Sequence, residues 1–248
     1  MQLQQFFSKN PRIAVAFSGG VDSSYLLYAA KAAGCRVHAY FMKSQFQPQS
    51  ELDGAVRLAG FVGVPLTVGT FDALSCGLVA QNPPDRCYHC KKIMLGKITE
   101  LSAKDGFAVL CDGSNADDLN AERPGMRALG ELGVLSPLRG CGLRKADIRR
   151  LSKEAGLFTH DKPAYACLAT RVPTGTAITP EMLGKIERAE SALSGIGFSD
   201  FRVRLSPPDG AKIQLPDGQL ERAAARRAEI LAALQSDFES VLLDLTAR

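Results

Sequence analysis

Sixteen residues near the N-terminus, Arg12 to Leu27 (RIAVAFSGGVDSSYLL), constrain this chain more than any other stretch. Ile13, Val15 and Phe17 interleave with Ala14 and Ala16, so the run has no polar face. That pattern predicts a strand buried on both sides of a sheet. Ser18-Gly19-Gly20 interrupts it, and two glycines let the backbone turn sharply and approach a ligand closely. Beyond Asp22, residues Tyr25, Leu26, Ala29 and Ala30 recur at helical spacing. Strand, glycine turn and helix N-terminus together make an anion site, because unpaired N–H groups and the positive end of the helix dipole face the turn.

The spacing excludes the two commonest nucleotide loops. No Lys follows the glycines as in G-x-x-x-x-G-K-[ST], and G-x-G-x-x-G is absent. The run Ser18-Gly19-Gly20-Val21-Asp22-Ser23-Ser24 instead resembles the pyrophosphate-binding loop of the ATP pyrophosphatase superfamily. That resemblance implies cleavage of ATP between its α and β phosphates and formation of an adenylated substrate.

Further along, Arg36–Phe41, Pro65–Val68 and Phe107–Cys111 read as strands, with a helical pattern over Glu51–Gly60 between the first two. Alternating strands and helices predict an α/β fold with a doubly wound parallel sheet. The fourth strand runs into Asp112-Gly113-Ser114-Asn115-Ala116-Asp117-Asp118, and ligands in such sheets bind at the carboxyl ends of strands where their order reverses. Asn82–Lys92 reads as a loop entering a helix, Arg123–Arg139 as an irregular connection, Arg144–Ala155 as an amphipathic helix and Asp161–Gly175 as a linker. Thr179 and Pro180 then open a helix reaching about Leu193, followed by a hairpin of Phe201–Leu205 with Lys212–Leu215. A helix over Gln219–Leu234 and a strand over Ser240–Leu245 complete the pattern. The expected organisation is a nucleotide domain over residues 1–172 and a small α+β domain over 173–248, for substrate binding or oligomerisation.

The net charge of +4 suits an anionic ligand such as a nucleotide but does not argue for RNA or DNA. No apolar run approaches the ~20 residues of a membrane span, and no secretory signal is evident. These features predict a cytoplasmic protein. Its seven cysteines then belong to a reducing compartment, where clustered Cys serve as metal ligands or catalysts more often than as disulfides. Cys87 and Cys90 form a C-x-x-C at a helix entrance, and Cys167 in the linker is a third candidate. Zinc, a redox pair, an iron–sulfur cluster or chance all remain compatible with one C-x-x-C. Cys35, Cys76, Cys111 and Cys141 lack spacing partners and read as small buried hydrophobes.

Taken in order, SGGVDSSYLL, RCYHCK, DGSNADD, RPGMRALGELGVLSPLR, DKPAYACLATRVPTG and FRVR closely resemble the LarE-type sulfur transferases over nearly the whole chain. The resemblance implies ATP-dependent adenylation of a carboxylate of pyridinium-3,5-biscarboxylic acid mononucleotide, then replacement of AMP by sulfur, in nickel-pincer nucleotide biosynthesis. It implies that Ser18, Gly19, Gly20, Asp22, Ser23, Ser24 and Asp117 bind ATP, with Mg²⁺ held by Asp22 and Asp117. Arg202 and Arg204, two apart on one strand face, and Arg171 become substrate-phosphate ligands, with Glu190 near the substrate or a metal. Cys167 is the catalytic cysteine; in single-cysteine members it attacks the adenylate and surrenders its own sulfur. The added Cys87 and Cys90 resemble instead the members that bind a [4Fe–4S] cluster through three thiolates, leaving one iron open for sulfide. A homo-oligomer is implied, a hexamer among its sizes. The rival enzyme is a tRNA thiolase with a similar loop and cluster, which should carry a basic stripe or RNA-binding appendages. The rival from another class is a non-catalytic nucleotide-binding module.

Overall fold

The computed structural model describes residues 2–118 and 124–246, which form two compact units. The first takes the chain to Ala73 and again over Asp85–Tyr165; the second takes Leu74–Pro84 and the chain from Ala166 onward.

The first unit is built on four parallel strands, β1 (Arg12–Ala16), β2 (Arg36–Lys43), β3 (Leu66–Thr70) and β4 (Leu110–Cys111), in the order β3-β2-β1-β4. Ile13, Ala14 and Val15 of the central strand are wholly buried, as its lack of a polar face requires. Helix α2 (Val21–Ala32) connects β1 to β2, and α3 (Gln49–Val62) connects β2 to β3; α1 (Leu3–Lys9) precedes β1. Leu26 and Leu27 of α2 and Leu58 of α3 share one core cluster with Phe6, Ile13, Val15 and Phe41. On the other face, Tyr40 donates to Asp105 Oδ2 at 2.7 Å, just beyond α4 (Arg86–Lys104). Two further helices complete the unit, α5 (Pro124–Glu131) and α6 (Lys145–Glu154), with a helical turn at Pro137–Gly140. Strand order runs one way from β1 to β3, then returns to the far side of β1 for β4. The switch point therefore lies between β1 and β4.

Three local readings need correction. The fourth strand has two residues rather than five: Phe107 leaves the ladder and stacks under the guanidinium groups of Arg12 and Arg36, 4.9 and 5.4 Å from its ring centre. The stretch read as irregular over Arg123–Arg139 contains α5 and the Pro137 turn, because proline at a first helical position starts a helix rather than breaking it. Helix α1 was not foreseen at all.

The second unit pairs β5 (Arg202–Ser206) antiparallel with β6 (Gly210–Gln214), and β6 parallel with β7 (Ser240–Asp244). Helix α7 (Pro180–Gly195) is capped by Thr179 Oγ1, which accepts the Met182 N–H at 3.2 Å. The expected single helix from Gln219 is two, α8 (Leu220–Ala225) and α9 (Arg227–Leu234), broken at Arg226, whose guanidinium turns to Glu229 and the Ile196 carbonyl. Leu193, Val203, Ala211, Ile213 and Leu234 fill the core. Leu74–Pro84 is stitched in by Asn82, whose side chain donates to the Pro173 carbonyl at 2.9 Å and whose own carbonyl accepts the Gly175 N–H at 2.8 Å.

Beneath this core lies Arg171, 1% exposed. Its Nε and Nη2 donate to the two carboxylate oxygens of Glu190 at 2.7 and 3.2 Å, and its Nη1 to the Ala166 carbonyl and Thr170 Oγ1. Glu190 also accepts the Val203 N–H at 3.1 Å, so one buried ion pair joins the Ala166–Arg171 segment, α7 and β5. Removing one member leaves a buried charge unpaired, at a cost of about 3–5 kcal/mol. Glu190→Ala is therefore expected to lower the unfolding free energy of this unit by about that amount in urea titration, whatever it does to ligand binding.

Candidate functional site

In the first unit a cleft of about 500 Å³ opens at the switch point. One wall is the loop after β1. Gly19 takes φ +73°, a conformation open to glycine, and a Cβ there would press on Ala55 Cβ at 3.3 Å. Gly20 precedes the first turn of α2 with no side chain capping it, which leaves the helix N–H groups available. Ser23 Oγ folds back to the Gly20 carbonyl at 3.2 Å and meets Ser18 Oγ at 3.1 Å, closing the loop on itself. Ser18, Gly20, Asp22 and Ser23 line the cleft. Ser24 is fully buried beneath the loop, its Oγ without a hydrogen-bond partner among the described residues.

The opposite wall follows β4. A Cβ at Gly113 would stand 2.7 Å from the Ser23 backbone nitrogen, so the two backbones are in direct contact. Asp112, mostly buried, is held by the hydroxyls of Ser114 and Ser136, the latter at 2.6 Å from Oδ1. Asp112, Gly113, Ser114 and Asp118 all line the cleft. Asp117 does not: its carboxylate accepts the Lys145 N–H at 2.8 Å and caps α6. The Lys145 ammonium in turn pairs with Asp22, to which Asn115 Nδ2 also donates at 3.4 Å. Met94, Leu95, Met126 and Leu129 supply an apolar side, and Lys91 a positive charge.

Cys87 stands on the rim of this cleft, exposed, with Arg86 Nη2 donating to its sulfur at 3.6 Å. Cys90 follows one helical turn on, half-buried, so the two thiols share a helix face. Cys111 is a different kind of thiol: burial and then the neighbouring Asp112 push it up to about 12, which makes it inert. Among the described residues, no three His, Cys, Asp or Glu side chains are grouped as a metal site.

In the second unit Cys167 sits at the start of a 3-10 turn, Leu168–Arg171, its carbonyl accepting the Thr170 N–H and hydroxyl at 3.0 and 2.8 Å. Arg204 Nη1 donates to the Thr170 carbonyl at 2.6 Å and its Nε to Gln214. Arg202 and Arg204 lie on one face of β5, opposite Gln214 and Lys212. Of the residues expected to hold a substrate phosphate, Arg171 is committed to the buried pair with Glu190, whereas Arg202 and Arg204 are partly exposed. Sequence reasoning missed Asp118, Lys91, Lys145 and Lys162 as individual residues. The first stood inside the acidic run already singled out; Lys145 carried no local signal.

Residues 11–65 match the family model described as the tRNA methyl transferase HUP domain. The chain is 34% identical over 237 residues to pyridinium-3,5-bisthiocarboxylic acid mononucleotide synthase of Lactiplantibacillus plantarum, covering 94% of this chain and 86% of that protein. An uncharacterized protein of Synechocystis is 35% identical over 98% of this chain and 92% of its own length. A tRNA-specific 2-thiouridylase of Hahella chejuensis is 26% identical over 62% of this chain and 52% of its own.

The contact at Gly113 gives a direct test of the cleft's construction. A methyl group there must displace backbone rather than a side chain, and such overpacking costs about 1–3 kcal/mol. Gly113→Ala is expected to lower stability by that amount in urea titration and to weaken ATP binding in calorimetry together, since one displacement moves both walls.

Proposed function

Because the chain belongs to the LarE family of ATP-dependent sulfur transferases, we propose that it adenylates a carboxylate of pyridinium-3,5-biscarboxylic acid mononucleotide and replaces AMP with sulfur, in nickel-pincer nucleotide biosynthesis. The observation that carries this reading is the cleft itself, which combines a capless helix N-terminus, acids suited to Mg²⁺ and a cysteine on its rim. The N–H groups of the loop and of α2 are suited to the phosphates. Asp22 and Asp118 both line the cleft and offer hard oxygen ligands for Mg²⁺, with one Asp118 oxygen also accepting the Asn115 N–H at 3.0 Å. A substrate carboxylate oxygen attacks the α-phosphorus, the bond to the β-phosphate oxygen breaks, and pyrophosphate leaves. A sulfur nucleophile then attacks the acyl carbon, the bond to the phosphate oxygen breaks, and AMP departs, leaving a thiocarboxylate. Arg202 and Arg204 are the side chains suited to the mononucleotide phosphate.

For the sulfur source, the donor chemistry supports a [4Fe–4S] cluster held by Cys87, Cys90 and Cys167: two thiols one helical turn apart, one on the cleft rim, and a third anchored on a 3-10 turn. Such a cluster, when bound, would supply sulfide at an iron that no cysteine holds. The chain's own contribution is to hold Cys87 and Cys90 on one helix face and to fix Cys167 on its turn through Thr170 and Arg204. The likeness to the thiouridylase is confined to 62% of this chain, and the +4 charge does not favour nucleic acid.

Two measurements follow. Pyrophosphate release on mixing ATP, Mg²⁺ and the mononucleotide is expected from the native chain and lost in Asp22→Asn and Ser23→Ala; normal release in both variants would refute the loop assignment. After turnover with excess sulfide and reconstituted cluster, intact-mass analysis is expected to find Cys167 unchanged. A stoichiometric loss of about 34 Da at Cys167, with full activity in a Cys87→Ala/Cys90→Ala variant, would mean that the cysteine gives up its own sulfur.

A further inference from the structure

The Gly19 carbonyl and the Gly20 N–H belong to one peptide plane and point in opposite directions, so whatever holds one aims the other. Lys162 Nζ donates to the Gly19 carbonyl at 3.2 Å and to Glu51 Oε2 at 2.9 Å. The Gly20 N–H reaches Ser18 Oγ at 3.4 Å, and Gly20 lines the cleft. A plane between two glycines is poorly held by its own chain. Turning it over requires ψ of the first residue and φ of the second to change together, and glycine accepts either sign of φ. Turned over, it would aim a carbonyl oxygen at the phosphates and withdraw a donor from them.

Lys162 is itself firmly placed. Arg149 of α6 donates to the carbonyls of His160 and Lys162 at 2.7 and 2.9 Å, and the Lys162 N–H donates to the Thr159 carbonyl at 3.1 Å. The ammonium thus reaches Gly19 from a fixed backbone, on the side of a second cleft of about 600 Å³ behind the loop.

We propose that Lys162 is a positioning residue of the phosphate site: by holding the Gly19 carbonyl behind the loop, it keeps the Gly20 N–H aimed into the cleft. The proposal rests on the reading that this loop binds the phosphates of ATP. It assigns Lys162 no contact with the nucleotide.

The test is calorimetric titration of the full chain with ATP, inorganic pyrophosphate and adenosine. Lys162→Met is expected to raise Kd for ATP and pyrophosphate about tenfold or more while moving that for adenosine less than about twofold. Gly20 makes the decisive background. Its φ of −79° is open to alanine, and a Cβ there would meet Ser18 Oγ at 3.4 Å, an ordinary contact. The turned-over plane demands positive φ at residue 20, which alanine resists. With Gly20→Ala in place, Lys162→Met is therefore expected to weaken pyrophosphate less than about threefold relative to Gly20→Ala alone. Lys162→Arg, which keeps a donor for Gly19, should bind pyrophosphate within about threefold of the native chain; Lys162→Leu, which also removes the donor, replaces Lys162→Met in the cycle if the latter does not fold. Equal losses in the two backgrounds, no loss at all, or a folded Lys162→Arg as weak as Lys162→Met would overturn the proposal. A native chain that binds neither ATP nor pyrophosphate would overturn the nucleotide reading instead.

Discussion

The first unit depends on two backbones touching where no side chain fits, at Gly113 and Ser23. That contact presses the end of β4 onto the first turn of α2. Acids from one segment then stand against the N–H groups of another. A helix N-terminus alone would attract any anion. With Asp22, Asp112 and Asp118 beside it, the electrostatics favour an anion that arrives with a divalent cation, as nucleotide triphosphates do. Lys145 tempers the acidity by pairing with Asp22 while Asp117 caps its helix, so α6 and the loop share one polar network.

The second unit solves a different problem. A thiol on an extended linker would wander, yet Cys167 starts a turn that is fastened at its far end by the Arg171–Glu190 pair and from the side by Arg204. Buried ion pairs rarely add much net stability compared with apolar packing; their demand for one geometry is what specifies a segment's position. Here the segment so specified is the one carrying the cysteine.

The parts of this molecule legible in the sequence are those with strong local patterns. The apolar run of β1, the Gly19-Gly20 turn and the α2 periodicity identified the central strand and loop, and the Thr179-Pro180 pair marked the start of α7. What escaped depended on partners distant in the chain. Phe107 looks like a strand residue until Arg12 and Arg36 take its ring. Asp117 and Asp118 are indistinguishable as neighbours in a row; in the fold the first accepts the Lys145 N–H at the start of α6 and the second the Asn115 N–H, and only the second lines the cleft. The resemblance sets Arg171 beside the phosphate ligands, and its buried pair with Glu190 is a contact that no local pattern signals. Lys162 lies in a motif noted for its cysteine, and its grip on Gly19 spans 143 positions of sequence.

The stitching of Leu74–Pro84 into the second unit has a consequence for how the chain is made. During synthesis these residues emerge well before the segment they bond to, since Asn82 waits for Pro173 and Gly175, about ninety positions on. The whole stretch from Asp85 to Tyr165, with the C-x-x-C helix and β4, is enclosed in that loop. Closing a loop of this length is entropically little worse than closing a shorter one, but it is slow and must come late. The loop after β1 and its sheet are thus free to form first, and the cysteine at residue 167 reaches its final setting only once Asn82 has met the segment after it. A fragment beginning at Ala166 would lack the Asn82 staple, so the second unit is a product of the complete chain rather than a module that can be cut away from it.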